Sequence, residues 1–108
     1  MKRKKQAAVP RAKTVFVKHD QQKPRFSLIP PDTIKGVMAV LEHGAAKYDA
    51  DNWCKCTEPI RYYDAAMRHI LAWKCGEKLD TESGLPHLHH ALCCLIFLSE
   101  LDGRDGKG

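Results

Sequence analysis

Three prolines constrain the fold of this chain most strongly, because each precedes a segment whose apolar residues recur at helical spacing. Pro31, Pro59 and Pro86 stand where the first turn of a helix tolerates proline. The apolar rhythm of 3.6 residues then predicts helices over about residues 32–48, from near residue 59 to a helix end at Gly76, and from residue 86 to about 101. No segment of the predicted domain carries a convincing strand pattern. The sequence therefore predicts an all-α fold, a small bundle of three main helices.

The predicted domain covers residues 24–101 of the 108-residue chain and is therefore a small domain. Domains of this size often gain stability by association, so we expect a homo-oligomer that completes the bundle. Within the domain, residues 23–31 hold three prolines and three apolar residues. We expect this stretch to be an extended strap that packs Phe26, Leu28 and Ile29 on the helices.

Positive charge is concentrated before the domain. Residues 1–25 carry nine lysines and arginines against a single acid, Asp20, although the whole chain has a formal charge of only +5. Residues 1–23 are therefore predicted to be a basic disordered tail, and residues 102–108 a flexible C-terminus. The alternative for the tail is an arm that binds nucleic acid, although no aromatic residues interleave its early charges.

Cysteine usage and hydropathy indicate a cytoplasmic protein without a membrane span. The longest apolar run, residues 91–98, is far shorter than a bilayer requires, and no apolar segment follows the positive start as in a signal peptide. Five cysteines make an odd number, which favours reduced thiols. Cys54 and Cys56 form a C-x-C pair that leaves a structural zinc site as an alternative.

The segment between residues 64 and 90 concentrates carboxylates and imidazoles among apolar helix positions. Asp64, Glu77 and Asp80 are the predicted ligands of a divalent metal, Mg²⁺ or Mn²⁺, which would activate a water and neutralise phosphate charge. Glu77-x-x-Asp80 would place two carboxylates within one helical turn if the second or third helix extends that far. In the competing structural interpretation, Glu77, Asp80 and Glu82 form a solvated loop, and Asp64 pairs with Arg68 on the surface.

Phosphate, base and proton-transfer groups are predicted around this metal. Arg68 and Lys47 are predicted to bind phosphates, and Tyr48, Trp53 or Trp73 to stack on a base. The histidines open a further interpretation, since imidazoles suit Zn²⁺ or Mn²⁺ and also act as general bases near neutral pH. These histidines are His69, His87 and His90.

An ordered series of motifs resembles the phage-associated dATP/dGTP diphosphohydrolase domain, a MazG-like nucleotide pyrophosphohydrolase. The motifs are Lys23-Pro-Arg-Phe-Ser-Leu-Ile-Pro-Pro31, Gly44-Ala-Ala-Lys-Tyr48, Asn52-Trp53, Asp64-Ala-Ala-Met-Arg-His69, Trp73, Gly76-Glu77, Asp80-Thr-Glu-Ser-Gly84 and His87-Leu-x-His-Ala-Leu-Cys-Cys94. Each motif is weak alone, but the ordered series is specific. The resemblance covers about residues 24–101.

The resemblance implies an all-α enzyme that hydrolyses purine deoxynucleoside triphosphates, dATP and dGTP, to the monophosphate and pyrophosphate with a divalent metal. Such an enzyme would serve phage nucleotide metabolism in the host cytoplasm. The resemblance places the metal–triphosphate site at two motifs, one with Asp64, Arg68 and His69 and one with Glu77, Asp80 and Glu82. It assigns nucleotide contacts to Lys47, Tyr48, Asn52 and Trp53.

The chain departs from MazG-type enzymes in one respect. Those enzymes carry Glu-x-x-Glu on one helix and Glu-x-x-Asp on the next, whereas this chain has only Glu77-x-x-Asp80. The metal site is therefore either built differently or completed by another subunit. The alternative function is a non-catalytic phage-encoded helical module that binds nucleic acid or a host protein through its basic tail.

Overall fold

Three α-helices form the fold, as the sequence predicts. The structure is a computed structural model that describes residues 15–105. The helices are α1 (Pro31–Lys47), α2 (Ile60–Lys74) and α3 (His87–Asp105), and two short 3₁₀ turns lie at Phe26–Leu28 and Asn52–Lys55. Among the described residues the only strand-like pairing is an isolated bridge between Leu79 and Pro86. The prediction of a small all-α bundle is confirmed.

The prolines mark the helix starts as predicted. Pro31 occupies the first turn of α1, Pro59 is the N-cap of α2, and Pro86 immediately precedes α3. Proline suits these positions because its fixed φ matches the helix and its missing N–H would have no intrahelical acceptor there. The helix starts are confirmed to within one residue.

The end of α3 differs from the prediction. The helix continues to Asp105 rather than ending near residue 101. Leu101 is buried, and the guanidinium of Arg104 lies 4.8 Å from the centre of the Trp53 ring. These contacts hold the last turn despite Gly103, which costs about 1 kcal/mol relative to alanine in a helix interior. The remaining predictions for the C-terminus, and those for residues 1–14, lie outside the described residues.

The core centres on α3, which packs against both α1 and α2. Its buried apolar side chains are small and few: Val37 and Val40 from α1, Ala66 from α2, and Ala91, Cys93 and Leu101 from α3. Burial raises the pKa of the Cys93 thiol to about 11, so Cys93 is an inert apolar residue. No helix among residues 15–105 is both long and apolar enough to cross a membrane.

The predicted strap before α1 is wrong in its packing. Phe26 and Leu28 lie in a 3₁₀ turn and are 79% and 67% exposed, and Ile29 is exposed as well. The two prolines that follow force extended backbone at residues 29 and 30 but do not bring these side chains onto the helices.

Candidate metal centre

Two histidines meet where α2 and α3 face each other. The Nδ1 atoms of His69, on α2, and His87, the first residue of α3, lie 2.9 Å apart. His87 is only 4% exposed, so its ring is a buried polar group that requires partners on both nitrogens. Its first partner is therefore the His69 ring.

Glu77 supplies the second partner of His87. A carboxylate oxygen of Glu77 accepts a hydrogen bond from the Nε2–H of His87 at 2.8 Å. With that nitrogen protonated, the Nδ1 of a neutral His87 carries a lone pair and accepts the Nδ1–H of His69. Both ring orientations are thereby determined by this chain of hydrogen bonds.

A glycine at the end of α2 positions Glu77 beside Nε2 of His87. Gly76 has φ +104°, which favours glycine, and its N–H bonds to the carbonyl of Trp73 while the N–H of Glu77 bonds to that of Ala72. This is the Schellman arrangement that terminates many helices. It reverses the chain immediately after α2, so that Glu77 returns toward the first residue of α3.

The loop between α2 and α3 is tightly hydrogen-bonded around Asp80. The N–H of Asp80 donates to the Leu85 carbonyl at 2.8 Å, and the Asp80 carbonyl accepts from the N–H of Gly84 at 2.8 Å. Oδ2 of Asp80 accepts the amides of Glu82 and Ser83 at 3.1 and 2.9 Å. The carboxylate is therefore held by its own loop, as an aspartate in a turn commonly is.

The carboxylate of Asp80 lies beside the paired imidazoles. One ligand atom each from His69, Asp80 and His87 lies within 4.8 Å of the other two. The two turn amides both bond to Oδ2 of Asp80, so neither of them occupies Oδ1. We call these three residues the histidine–aspartate cluster.

His90, one turn along α3, buttresses the cluster. Its ring stacks on that of His69 with the centroids 4.6 Å apart and an angle of 11° between the planes. Its Nε2 is 2.7 Å from the hydroxyl of Ser83, and the ring of His43 from α1 approaches its edge. The His90 ring thus connects the loop, α1 and the cluster.

Burial and neighbouring charges adjust the acidities in the cluster. Burial lowers the pKa of His69, and the neighbouring His90 and His87 lower it further. Burial likewise lowers the pKa of His90. For Asp80, burial opposes ionisation, but the hydrogen bonds from Ser83 and the imidazoles of His90 and His69 outweigh it and hold its pKa below the ordinary value. Neutral imidazoles beside an ionised carboxylate are the protonation states that a metal ion requires.

The cluster fits a divalent metal. Two imidazole nitrogens and one carboxylate are typical protein ligands, and three such donors leave coordination positions for water or phosphate oxygens. His87 also shows the outer contact common in metal sites, because its second ring nitrogen donates to a carboxylate. His69, Asp80 and His87 would hold the ion.

The structure brings together one of the three predicted metal ligands and two of the predicted proton-transfer histidines. Asp80 belongs to the cluster, but Glu77 contacts it through His87, and the exposed Asp64 is not a member. His69 and His87, predicted for proton transfer, offer the nitrogen ligands. Whether Asp64 or Glu77 binds a metal stays a prediction.

The predicted phosphate ligands are exposed around the cluster. Lys47, the last residue of α1, forms an ion pair with Glu82 of the loop, and its ammonium lies 5.2 Å from the centre of the Tyr48 ring. The hydrogen bond to Glu82 raises the pKa of Lys47, while the same bond lowers the pKa of Glu82. Arg68 is exposed on α2, next to His69 in sequence. The side chains of Lys47 and Arg68 are therefore accessible to an anion.

Asn52 and Trp53, in the second 3₁₀ turn, have different surroundings: Trp53 packs on α3 and Asn52 is exposed. Trp53 stacks on Phe97 with ring centroids 5.3 Å apart and an angle of 10°, and Arg104 lies over the same indole. Phe97 and Arg104 are seven residues apart on α3, two turns, so the indole is inserted between them. Trp53 thus anchors the turn to α3. Asn52 is exposed, and the predicted nucleotide contacts of both residues stay predictions.

Two residues that contact the site, Ser83 and His43, were not predicted individually from the sequence. The N–H of Ser83 donates to the Asp80 carboxylate while its hydroxyl bonds His90, and His43 reaches His90 from α1. Asp80-Thr-Glu-Ser83 carries a usable signal, because an aspartate three residues before a serine is typical of a side-chain-capped turn. His43 offers none, since a lone histidine on an amphipathic helix has no distinguishing neighbours.

The fold and the cluster define a small all-α protein with a half-buried histidine–carboxylate site, a candidate metal centre between two antiparallel helices. The family of N-terminal domains of dATP/dGTP diphosphohydrolases matches residues 15–107. A protein named dATP/dGTP diphosphohydrolase from Salmonella phage PMBT28 is 38% identical over 82 residues. The chain belongs to the dATP/dGTP diphosphohydrolase N-terminal domain family.

The coverage of that match is unequal. The aligned region is 76% of this chain but 28% of the phage protein, so the chain spans well under half the length of this relative. No solved structure matches the chain. The resemblance found in the motifs is confirmed at the level of the family.

Proposed function

We propose that this chain hydrolyses purine deoxynucleoside triphosphates, dATP and dGTP, to the monophosphate and pyrophosphate with the help of a divalent metal. The supporting observation is the histidine–aspartate cluster, which assembles one buried and two half-buried metal donors beside accessible cationic side chains. Membership of the diphosphohydrolase family supports the substrate class. A cluster of this composition has no role in packing a small apolar core.

In the proposed reaction, a water attacks the α-phosphorus, the bond between that phosphorus and the bridging oxygen to the β-phosphorus breaks, and pyrophosphate leaves. A divalent ion in the cluster would supply charge neutralisation on the phosphates and a more acidic water. His69, His87 and Asp80 provide its binding site. The residues around that site carry out the remaining tasks.

His90 is the proposed general base. Its lowered pKa keeps the imidazole neutral near pH 7, so it can accept a proton from the attacking water. The stack on His69 and the contact with Ser83 hold its ring beside the cluster. A neutral, positioned imidazole of this kind typically contributes a factor of about 10² to 10⁴ in rate.

Lys47 is the proposed phosphate ligand from α1. Its ammonium is paired with Glu82 at the surface, where water screens the attraction between the two charges. A triphosphate, with its higher charge, would therefore displace Glu82 readily. Arg68 offers a second cationic contact from α2, with the fork geometry that suits phosphate oxygens.

The activity is tested by incubating the purified chain with each of the four common deoxynucleoside triphosphates and Mn²⁺ or Mg²⁺, and by measuring pyrophosphate release. We expect turnover of dGTP and dATP and little of the pyrimidine nucleotides. Asp80→Ala should abolish it, because a three-donor site loses its only carboxylate.

The matched control is Asp102→Ala, which removes an exposed carboxylate from the far end of α3. It should retain the wild-type rate. Circular dichroism of both variants shows whether each remains helical. Absence of pyrophosphate release from every nucleotide with either metal would refute the proposed activity for this chain.

A further inference from the structure

We propose that the histidine–aspartate cluster is built for a six-coordinate first-row transition ion, such as Mn²⁺, Fe²⁺ or Co²⁺, in preference to Mg²⁺. In this assignment His69 and His87 bind through Nδ1, Asp80 binds through its carboxylate, and Glu77 stands behind His87. The role of the ion rests on the proposed function, but binding of the ion to the chain is measurable without turnover.

The donor atoms discriminate between the two kinds of ion. Magnesium is bound in proteins through oxygen and usually keeps several of its waters, whereas imidazole nitrogen suits transition ions. Two of the three cluster residues offer nitrogen, and their Nδ1 atoms lie 2.9 Å apart. A site that served magnesium would place carboxylates there, and the acids Glu82 and Glu77 are instead engaged by Lys47 and His87.

The separation of the two nitrogens, set in the metal-free chain by their hydrogen bond, is compatible with octahedral coordination. Metal–nitrogen bonds of about 2.1 Å set ligands about 3.0 Å apart at a right angle and about 3.3 to 3.4 Å apart at the tetrahedral angle. The Nδ1 atoms of His69 and His87 are 2.9 Å apart. Two histidines and one carboxylate on one face of an octahedron leave three adjacent positions open, as in the known facial arrangement of these donors. Those positions suit water and phosphate oxygens.

The outer contacts of both rings match those of metal-bound histidines. The Nε2–H of His87 donates to Glu77 at 2.8 Å, which fixes the tautomer that leaves Nδ1 for the ion. His69 is held by its stack on His90. When the ion binds, it takes the place of the single proton shared between the two Nδ1 atoms, and that proton moves to Nε2 of His69 or to water.

The competing explanation is a hydrogen-bonded histidine pair that binds no ion. To distinguish the two, the chain is stripped with a chelator, and binding of Mn²⁺, Co²⁺, Zn²⁺ and Mg²⁺ is measured by calorimetry. We expect one Mn²⁺ or Co²⁺ per chain, not displaced by about a hundredfold excess of Mg²⁺. The Co²⁺ complex should show the weak visible absorption of a six-coordinate ion rather than the intense bands of a tetrahedral one.

Two variants with matched controls locate the site. Asp80→Asn should abolish Co²⁺ binding, and Asp102→Asn should not. Glu77→Gln, which keeps an acceptor but loses the charge behind His87, should weaken binding by about 10- to 100-fold, the effect typical of an outer carboxylate. Glu100→Gln, an exposed acid on α3, is its control and should bind as the wild type does.

Histidine side-chain nitrogen NMR provides a readout that needs only the wild-type chain, so it does not depend on whether a variant folds. In the wild-type chain, Zn²⁺, which is diamagnetic, should shift the Nδ1 resonances of two histidines and leave the exposed His19 unchanged. Failure of all four ions to bind, or binding of Mg²⁺ as tight as Mn²⁺, would overturn the inference, and so would loss of binding in Asp102→Asn but not in Asp80→Asn.

The outcomes separate this inference from the proposed function. Tight Mn²⁺ binding without pyrophosphate release supports the metal site and refutes the hydrolase. Turnover that proceeds with Mg²⁺ and persists in Asp80→Asn supports the hydrolase and refutes the site.

Discussion

At the scale of single residues, the buried imidazoles tie the stability of the metal-free protein to pH. Burial lowers the pKa of His69 and of His90 below the value of 6.5. The unfolded chain therefore binds more protons than the folded one once the pH falls below about 6.5. The free energy of unfolding should decrease as the pH is lowered from there through the folded-state pKa values, and these two groups should not affect it above that range.

This pH dependence is measured as the melting temperature of the chelated chain between about pH 5 and pH 8. We expect a plateau near neutral pH and a decline toward pH 5. His90→Gln should flatten the decline, because glutamine does not titrate, whereas His19→Gln, an exposed histidine, should retain it. A melting temperature that rises on acidification would contradict the direction of these shifts. Asp80 adds a second loss below about pH 4, since its own pKa is lowered in the folded state.

At the scale of the helices, a glycine determines how closely α1 approaches α3. A Cβ at Gly36 would overlap the ring of His89, whose Nδ1 is buried and has no hydrogen-bond partner in residues 15–105. Gly36→Ala should therefore destabilise the protein by about 1 to 3 kcal/mol, the usual cost of overpacking, since the ring is confined between two helices. Chemical denaturation followed by circular dichroism measures the change.

Gly44→Ala is the matched control on the same helix. A Cβ at Gly44 meets no atom within 4 Å, so alanine should stabilise α1 by up to about 1 kcal/mol through its better helix propensity. Adding His89→Ala to Gly36→Ala removes the obstructing ring and should restore part of the loss. Equal effects of the two glycine substitutions would show that the contact with His89 carries no energetic weight.

The helices were predictable from sequence because their signals are local. Pro31, Pro59 and Pro86 mark the helix starts, and Gly76 marks the end of α2 through a backbone conformation that favours glycine. The close contact at Gly36 was not predictable, since it depends on which residue of α3 faces it. Gly44, by contrast, does not mark a close contact, because a Cβ there would meet no atom within 4 Å.

The composition of the site was predictable, but the roles of its members were not. The residue types between positions 64 and 90 indicated metal chemistry, and His69, Asp80 and His87 lie together as expected of a shared site. Glu77 and Asp80 are equivalent in a helical i, i+3 pattern. The Schellman turn breaks that equivalence, because it carries Glu77 to the far nitrogen of His87 while the loop carries Asp80 to the open side.

At the scale of the whole molecule, the three helices leave much apolar surface uncovered. In the described part of the chain only six apolar residues are buried, while α2 exposes Tyr63, Met67 and Leu71 in a stripe at helical spacing. On α3, Leu88, Leu92 and Leu95 form a second stripe, each about 40% exposed. Large apolar surfaces of this kind typically mark an interface, so we expect copies of this chain to cover each other.

The predicted association follows from the free energy of burying these stripes, which contributes roughly 25 cal/mol per Å² of apolar surface removed from water. Sedimentation equilibrium at micromolar concentrations should therefore give a dimer or a larger oligomer. Met67→Glu places a charge in the α2 stripe and should shift the chain toward monomer, while Arg61→Glu, at an exposed polar position on another face of the same helix, should leave the assembly intact. A wild-type chain that remains monomeric over this range would contradict the prediction.

The same variant tests whether one chain holds the complete metal centre. All three residues of the cluster come from α2, α3 and the loop between them, so a Met67→Glu monomer should still bind Co²⁺.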